Sequence, residues 1–224
     1  MGLRRVDEFK IIMVYEDYCK RVIDFLLALL ALFLICPLII VVGILVYVSL
    51  GSPVLFRQVR PGVNGKPFTI YKFRTMIQSH GENGLILPDS ERMTILGRVL
   101  RKTSIDELPE LFNVLKGDIS ILGPRPLLMR YLDRYTTEQA RRHQVKPGLT
   151  GWAQVNGRNA ISWEEKFKLD VWYVDNWSVW LDVKIIALTV LNVLKHKGIN
   201  QPGQATMEEF NPQITQITQN RKML

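Results

Sequence analysis

The chain has 224 residues, a formal net charge of +8 and 47% hydrophobic residues, which suits one domain of about 150 to 200 residues plus an appendage. Two cysteines and three histidines, in no metal-ligand spacing, exclude a disulfide framework and a structural zinc site. The positive charge indicates an anionic partner, which is nucleic acid, anionic lipid or a phosphate-bearing substrate.

The first long feature is an apolar segment near the N-terminus. Residues 25–50 read FLLALLALFLICPLIIVVGILVYVSL and carry no charge, a length sufficient for a bilayer core of about 30 Å. The segment is too long and begins too late to be a signal peptide. We therefore predict a basic N-terminal segment over residues 1–21 and a membrane helix over residues 22–50.

Two observations argue against a simple crossing by this segment. Pro37 lies near its midpoint, where it removes a backbone donor and crowds the carbonyl of Phe33. Basic residues flank both ends, so the positive-inside rule draws both flanks to the cytoplasm. A helix–break–helix hairpin satisfies both observations, with each half about 18 Å long. A kinked span is the alternative.

Residues 51–200 form the predicted main domain. Two β-like runs, VLFRQVR and FTIYKFRTM, flank a turn and predict a hairpin, and a helix is expected from Arg92 to Leu100. All five tryptophans lie between residues 152 and 180, ahead of an apolar helix. Tryptophan and tyrosine beside basic residues are typical of a membrane-interface surface, and core packing is the alternative. Residues 201–224 are predicted as a loosely ordered tail.

The stretch from Lys102 to Pro126, KTSIDELPELFNVLKGDISILGPRP, contains two adjacent carboxylates, Asp106 and Glu107. One interpretation is structural: Ser104 and Glu107 have the spacing of a capping box ahead of an apolar helix that ends near Gly117. Neighbouring residues on a helix point about 100° apart, so Asp106 faces elsewhere. Capping therefore accounts for one acid and leaves the other unexplained.

The second interpretation of the acid pair is chemical. A carboxylate can attack a phosphoryl group and form a covalent acyl phosphate. Attack on a diphosphate brings two anions together and needs Mg²⁺ and basic side chains to offset the repulsion. Arginine suits bidentate phosphate binding better than lysine. Enough basic residues lie around the acid pair in the sequence to offset this repulsion.

The motifs together resemble one family. The Pro-broken segment, VLFRQVRPG, IYKFRTM, SIDELPELFNVLKGDISILGPRPLL and KPGLTGWAQVNGRN make the chain similar, from about residue 20 to about residue 210, to the monotopic polyprenol-phosphate phosphoglycosyl transferases, or bacterial sugar transferases. Its nearest resemblance is to the short enzymes that transfer phospho-N,N′-diacetylbacillosamine to undecaprenyl phosphate.

This resemblance implies a fold and a location. The expected fold is α+β, mostly helical, with a re-entrant membrane helix joined to a catalytic domain whose interfacial helices lie on the cytoplasmic face of the bacterial inner membrane. The family break is usually Ser-Pro, whereas this chain has Cys36-Pro37. A thiol is a weaker donor than a hydroxyl, which leaves the depth and angle of the hairpin open.

The resemblance also implies a two-step reaction. Asp106 attacks a UDP-sugar, UMP leaves, and undecaprenyl phosphate takes the phospho-sugar from Asp106. Glu107 assists as a base or in handling the lipid phosphate, and Mg²⁺ binds at Asp106. The expected phosphate-binding residues are Lys72, Arg101, Arg125 and Arg158.

The expected partners are the UDP-sugar, undecaprenyl phosphate, the bilayer and downstream glycosyltransferases of glycan assembly, without nucleic acid. Two rival functions stay open at this point. One is a hexose-1-phosphate transferase of the same superfamily. The other is a non-enzymatic, membrane-anchored protein that binds anions.

Overall fold

The computed structural model describes residues 18–78, 87–157, 161–194 and 209–212. The predicted phosphate-binding residue Arg158 lies outside these ranges, as do most of the predicted N-terminal segment and tail.

The apolar segment forms one helix, α1, from Lys20 to Leu50. It is long and apolar enough to cross a membrane, which confirms the predicted membrane-type helix. The predicted interruption at Cys36 and Pro37 is not confirmed, because the helix continues through both residues. Proline removes one hydrogen bond from a helix, and here the flanking turns keep their helical form.

One face of α1 packs on the rest of the domain along most of its length. The buried positions Asp24, Ala28, Val42 and Val46 follow helical spacing, whereas most large apolar side chains on the other faces are exposed. Both ends are fastened to the domain. Near the first turn, Arg21 donates to two backbone carbonyls at 114 and 115. After the last turn, the carbonyls at 51 and 52 accept hydrogen bonds from one arginine, at 74.

The predicted hairpin is confirmed. Strands β1, Leu55–Pro61, and β2, Pro67–Phe73, pair antiparallel with Leu55 opposite Phe73. The turn between them contains Asn64 and Gly65 at φ 53° and 73°, the left-handed region that suits these two residue types.

The helix predicted from Arg92 to Leu100 is divided in two. Helix α2 covers Asp89–Arg92, and α3 covers Ile95–Thr103. Thr94 caps α3 by accepting from the amide of Gly97 at 2.9 Å. A Cβ atom at Gly97 would lie 1.9 Å from the carbonyl oxygen of Thr75, so only glycine lets α3 lie this close to the chain after β2.

A 3₁₀ turn, Ile105–Glu107, follows α3 and leads into α4, Glu110–Lys116. Gly117 ends α4 at φ 86°, as the sequence predicted. Strand β3, Ser120–Leu122, pairs in parallel with β4, Gly148–Thr150. The remaining elements are α5 Thr137–Ala140, α6 Trp152–Val155, α7 Trp163–Asn176, α8 Val179–Leu194 and 3₁₀ turns at Met129–Arg134 and Arg141–His143.

With two small two-stranded sheets and otherwise helices, the described part of the chain is mostly helical, in agreement with the predicted α+β class. The i, i+4, i+7 spacing of Tyr173, Trp177 and Trp180 predicts one helix face, and the structure shows that this prediction is wrong. Helix α7 ends at Asn176 because Trp177 has an extended ψ of 133°. Tyr173 is therefore buried and Trp180 is 82% exposed.

An aromatic cluster closes the side of the domain that includes α7. Tyr131, Phe167 and Phe210 are buried together with Leu127, and Trp163 packs against them. Phe210 belongs to the predicted loose tail, yet its carbonyl accepts a hydrogen bond from Arg134 at 2.6 Å. This point of the tail is thus part of the core.

Candidate active site

The acid pair lies where the chain turns from α3 into α4. Ser104 adopts the left-handed conformation, with φ 58°, and this reversal starts the 3₁₀ turn that carries both acids. Asp106 points inward and is 7% exposed. The predicted capping box is wrong, because the side chain of Ser104, whose backbone is left-handed, makes no capping hydrogen bond to this turn. The carboxylate of Glu107 accepts hydrogen bonds from two cations instead.

Those cations come from distant elements. Lys72, near the end of β2, places its ammonium 2.7 Å from Glu107 Oε1. Arg125, in the loop after β3, donates through both terminal nitrogens to Glu107 in a bidentate arrangement. Glu107 is therefore the group that joins two of the predicted phosphate-binding residues to the acid pair.

A third acid, Glu110, belongs to the same cluster and was missed from the sequence. It is 1% exposed, and the Lys72 ammonium lies 3.0 Å from its Oε1, without the alignment of a hydrogen bond. Burial raises the pKa of Glu110. The signal that could have found it is an acid in the first turn of an otherwise apolar helix, one turn after Glu107.

The adjacent acids Asp106 and Glu107 have opposite electrostatics. Burial, and then the charge of Glu107, raise the pKa of Asp106 to about 6, although nearby cations partly oppose the shift. Burial would also raise the pKa of Glu107, but the charges and hydrogen bonds of Arg125 and Lys72 outweigh it and hold that pKa well below its usual range. Glu107 is thus a permanent anion, and Asp106 is an ionisable group that no ion pair among the described residues includes.

A cleft of about 700 Å³ opens above the acid pair. It brings together five of the six predicted site residues, and the sixth, Arg158, lies outside the described residues. Arg101 is directed to Thr75, with its Nε 3.1 Å from the hydroxyl, while its charge still lowers the pKa of Asp106. Four further cations line the cleft that sequence analysis did not assign to the site: Arg60, Arg74, Arg92 and Lys166.

The donor set around Asp106 fits Mg²⁺ in one of its common modes of binding. The described residues contain no cluster of three acidic, histidine or cysteine side chains that could enclose a metal. Mg²⁺ is often held instead by one or two carboxylates together with substrate phosphates. Asp106 could be such a carboxylate ligand, because it faces the cleft and is not neutralised by an ion pair with a described residue.

Comparison with known proteins identifies the family. Residues 15–196 match the family described as bacterial sugar transferase. The chain belongs to the bacterial sugar transferase family. It is accordingly an enzyme that transfers sugar phosphates, and the rival reading as a non-enzymatic anion-binding protein is wrong.

Individual relatives agree with this assignment. The chain is 59% identical to the uncharacterized sugar transferase EpsL of Bacillus subtilis, over 85% of this chain and 95% of the relative. It is 41% identical to a UDP-glucose:undecaprenyl-phosphate glucose-1-phosphate transferase of Klebsiella pneumoniae, over 80% of this chain but 41% of that protein. It is 40% identical to a UDP-N-acetylgalactosamine-undecaprenyl-phosphate N-acetylgalactosaminephosphotransferase of Aeromonas hydrophila, over 81% of this chain and 45% of that one. The chain thus spans less than half the length of the relatives from Klebsiella pneumoniae and Aeromonas hydrophila.

Proposed function

We propose that this sugar transferase moves a sugar 1-phosphate from a UDP-sugar to undecaprenyl phosphate, with release of UMP. The relatives from Klebsiella pneumoniae and Aeromonas hydrophila are named for a UDP-sugar and undecaprenyl phosphate, which are these two substrates. The observation that carries the proposal is that the two adjacent acids have different contacts. Glu107 holds two cations in place, while the neighbouring Asp106 faces the same cleft as a buried carboxylate outside any ion pair of the described residues.

The first step uses Asp106 as the nucleophile. One carboxylate oxygen attacks the β-phosphorus of the UDP-sugar, the bond from that phosphorus to the bridging oxygen breaks, and UMP leaves with the electron pair. With a pKa of about 6, Asp106 is about nine-tenths ionised at pH 7 and is more basic than an ordinary aspartate. Lys72 and Arg125 balance the negative charge that gathers on the phosphoryl oxygens.

The second step releases the sugar. An oxygen of undecaprenyl phosphate attacks the same phosphorus, and the bond to Asp106 breaks, which restores the carboxylate. The low pKa of Glu107 makes it a weak base, so we assign it the positioning of Lys72 and Arg125. Asp106 is the residue that would hold Mg²⁺, and the ion would supply positive charge against the repulsion between carboxylate and diphosphate.

We further propose that α1 enters and leaves the membrane on the cytoplasmic face. Support comes from its two ends, which are both bonded to one domain, at Arg21 and at the carbonyls of Gly51 and Ser52. A helix that crosses the bilayer has its ends on opposite sides of a core about 30 Å thick. A single domain fastened to both ends suits a helix that dips into one leaflet.

The identity of the sugar is a separate part of the proposal. The chain's nearest resemblance favours a UDP-di-N-acetylated sugar. The named relatives favour the alternative of a hexose or a mono-N-acetylated hexose, because their substrates are UDP-glucose and UDP-N-acetylgalactosamine. In either case the product is a diphosphate-linked lipid sugar that downstream glycosyltransferases extend in glycan assembly.

The test is UMP release from a panel of UDP-sugars, with undecaprenyl phosphate and Mg²⁺ present. The panel contains glucose, galactose, N-acetylgalactosamine and N,N′-diacetylbacillosamine donors. We expect one donor to give UMP and a lipid-linked sugar, and Asp106→Asn to give neither. Without the lipid, intact-mass spectrometry should show a phospho-sugar adduct that maps to Asp106. Turnover by Asp106→Asn at the wild-type rate would refute the proposed nucleophile.

A further inference from the structure

The cleft extends beyond the acid pair in two directions. In one direction it reaches Phe73, which packs against α1 through Val42 and Val46. In the other it reaches Trp163, which packs in the aromatic cluster away from α1. Arg125 links the acid pair to the second direction, because its charge lowers the pKa of Asp106 and also that of Lys166, which lies over Trp163. We call the second direction the aromatic end of the cleft.

Two cations lie towards the aromatic end and no predicted function has used them. Lys166, on α7, places its ammonium 4.7 Å from the ring centre of Trp163. Arg60, on β1, donates to Gln58 at 2.6 Å and to the carbonyl of Pro126 at 3.4 Å, the residue after Arg125. Its Nε is buried and has no hydrogen-bond partner among the described residues.

Arg125 repels both of these cations. Burial, together with the charges of Arg125 and Arg142, lowers the pKa of Lys166 to about 8 against the opposing charge of Asp170. Burial, followed by the charge of Arg125, lowers the pKa of Arg60 to about 10. An anion held between Arg60, Arg125 and Lys166 would relieve both effects, and phosphate matches the geometry of guanidinium groups.

The wall of the cleft also contains an amide that has no hydrogen-bond partner among the described residues. Gln154, on α6, lines the cleft, and both its Oε1 and its Nε2 are buried without a hydrogen bond to any described residue. Buried polar groups are almost always hydrogen-bonded, so an unsatisfied amide in a cleft wall points to a ligand. The edge of a pyrimidine base carries the complementary pattern of one donor beside one acceptor.

We propose that the aromatic end of the cleft is the subsite for the uridine monophosphate portion of the donor. Lys166 and Arg60 bind the phosphate that becomes the leaving group, Gln154 hydrogen-bonds the uracil edge, and the Trp163 side of the cleft supports the base. This inference rests on the proposed function, because it assigns the nucleotide of that donor. It leaves the end beside α1 for the lipid phosphate, which arrives from the membrane.

The affinity for the product UMP distinguishes the proposed contact to the base from the proposed contact to the phosphate. UMP and ribose 5-phosphate, which lacks the base, are titrated into the full-length protein in detergent by calorimetry. We expect Gln154→Leu to weaken UMP binding about tenfold and to leave ribose 5-phosphate unchanged, because only the base contact is lost. We expect Lys166→Gln to weaken both ligands about tenfold or more.

The matched control is Lys168→Gln, the same substitution on the same helix. Lys168 is exposed and pairs with Glu164 rather than lining the cleft. The UMP affinity of the Lys168→Gln protein should therefore stay within about twofold of wild type. If Lys166→Gln fails to fold, Arg60→Gln tests the same phosphate contact. Lys166→Arg, which keeps the charge, should retain most of the UMP affinity.

Two results would overturn the inference. One is unchanged UMP affinity in both Gln154→Leu and Lys166→Gln. The other is a rise in the KM for undecaprenyl phosphate alone in Lys166→Gln, which would assign this end to the lipid phosphate. Failure of the proposed function looks different: the wild-type protein would release no UMP from any UDP-sugar, whatever the affinities of the variants.

Discussion

The burial of Asp106 predicts that removal of its charge stabilises the protein while it abolishes the reaction. The pKa of this carboxyl is raised from 3.8 to about 6. Between these two pH values the folded protein retains a proton that the unfolded chain has lost, so stability falls as pH rises through this window. A difference of one unit between the pKa of the folded and the unfolded protein corresponds to about 1.4 kcal/mol. The ionised carboxylate therefore destabilises the folded protein by about 3 kcal/mol above pH 6.

Asp106→Asn is neutral at every pH and keeps the shape of the side chain. Its free energy of unfolding should match that of wild type near pH 4 and exceed it by about 3 kcal/mol at pH 8. For a domain of this size, that difference raises the Tm by about 6 °C or more. Active sites commonly keep such destabilising groups because the reaction needs them.

The assay is thermal unfolding in detergent at pH 4 and pH 8, at one scan rate, for wild type, Asp106→Asn and a surface control. Asp133→Asn is the control, because Asp133 is an exposed carboxylate in the Met129–Arg134 turn. It should show no pH-dependent gain. A Tm difference between Asp106→Asn and wild type that is the same at both pH values would refute the electrostatic reasoning, even if the variant were inactive.

Three further predictions follow from the same contacts. Glu107→Gln should do the opposite of Asp106→Asn and lower the free energy of unfolding at pH 7 by about 2 kcal/mol or more, because Lys72 and Arg125 lose their shared partner; an unchanged Tm would contradict this. Formation of the phospho-sugar adduct should slow as pH falls below about 6, where Asp106 becomes protonated, and quench-flow at pH 5 and pH 8 measures it; equal rates would exclude Asp106 as an ionised nucleophile. Cys19, an exposed residue at the start of α1, should react with a membrane-impermeant thiol reagent in inside-out vesicles and not in intact cells, and labelling in intact cells would contradict the cytoplasmic location.

Features that depend on neighbours in the chain were predictable. The apolar helix α1, the hairpin of β1 and β2 and the end of α4 at Gly117 follow from hydrophobicity, alternation and the conformational freedom of glycine. The adjacency of Asp106 and Glu107 is itself a sequence fact, and the surrounding basic residues made phosphate chemistry the natural hypothesis. These inferences need no knowledge of the fold.

The role of Glu107 shows where local reasoning fails. Its spacing from Ser104 is that of a capping box, but the cations that bind it lie 35 residues before it and 18 residues after it. Two charge-assisted contacts outweigh one capping bond, so Glu107 turns away from the helix terminus. No local pattern contains that information.

The amino-acid sequence by itself determined the long apolar helix, the family and the pair of acids to which we assign the chemistry, because each lies in a continuous run of residues. The tertiary structure decided which acid is buried and which is neutralised, since β2 and the loop after β3 bring Lys72 and Arg125 to Glu107 and leave Asp106 facing the cleft. It also brought Gln154 and Lys166 to the lining of that cleft from separate helices. A pKa or an unsatisfied amide depends on what surrounds a group in space, and for these residues the surroundings come from parts of the chain far away in sequence.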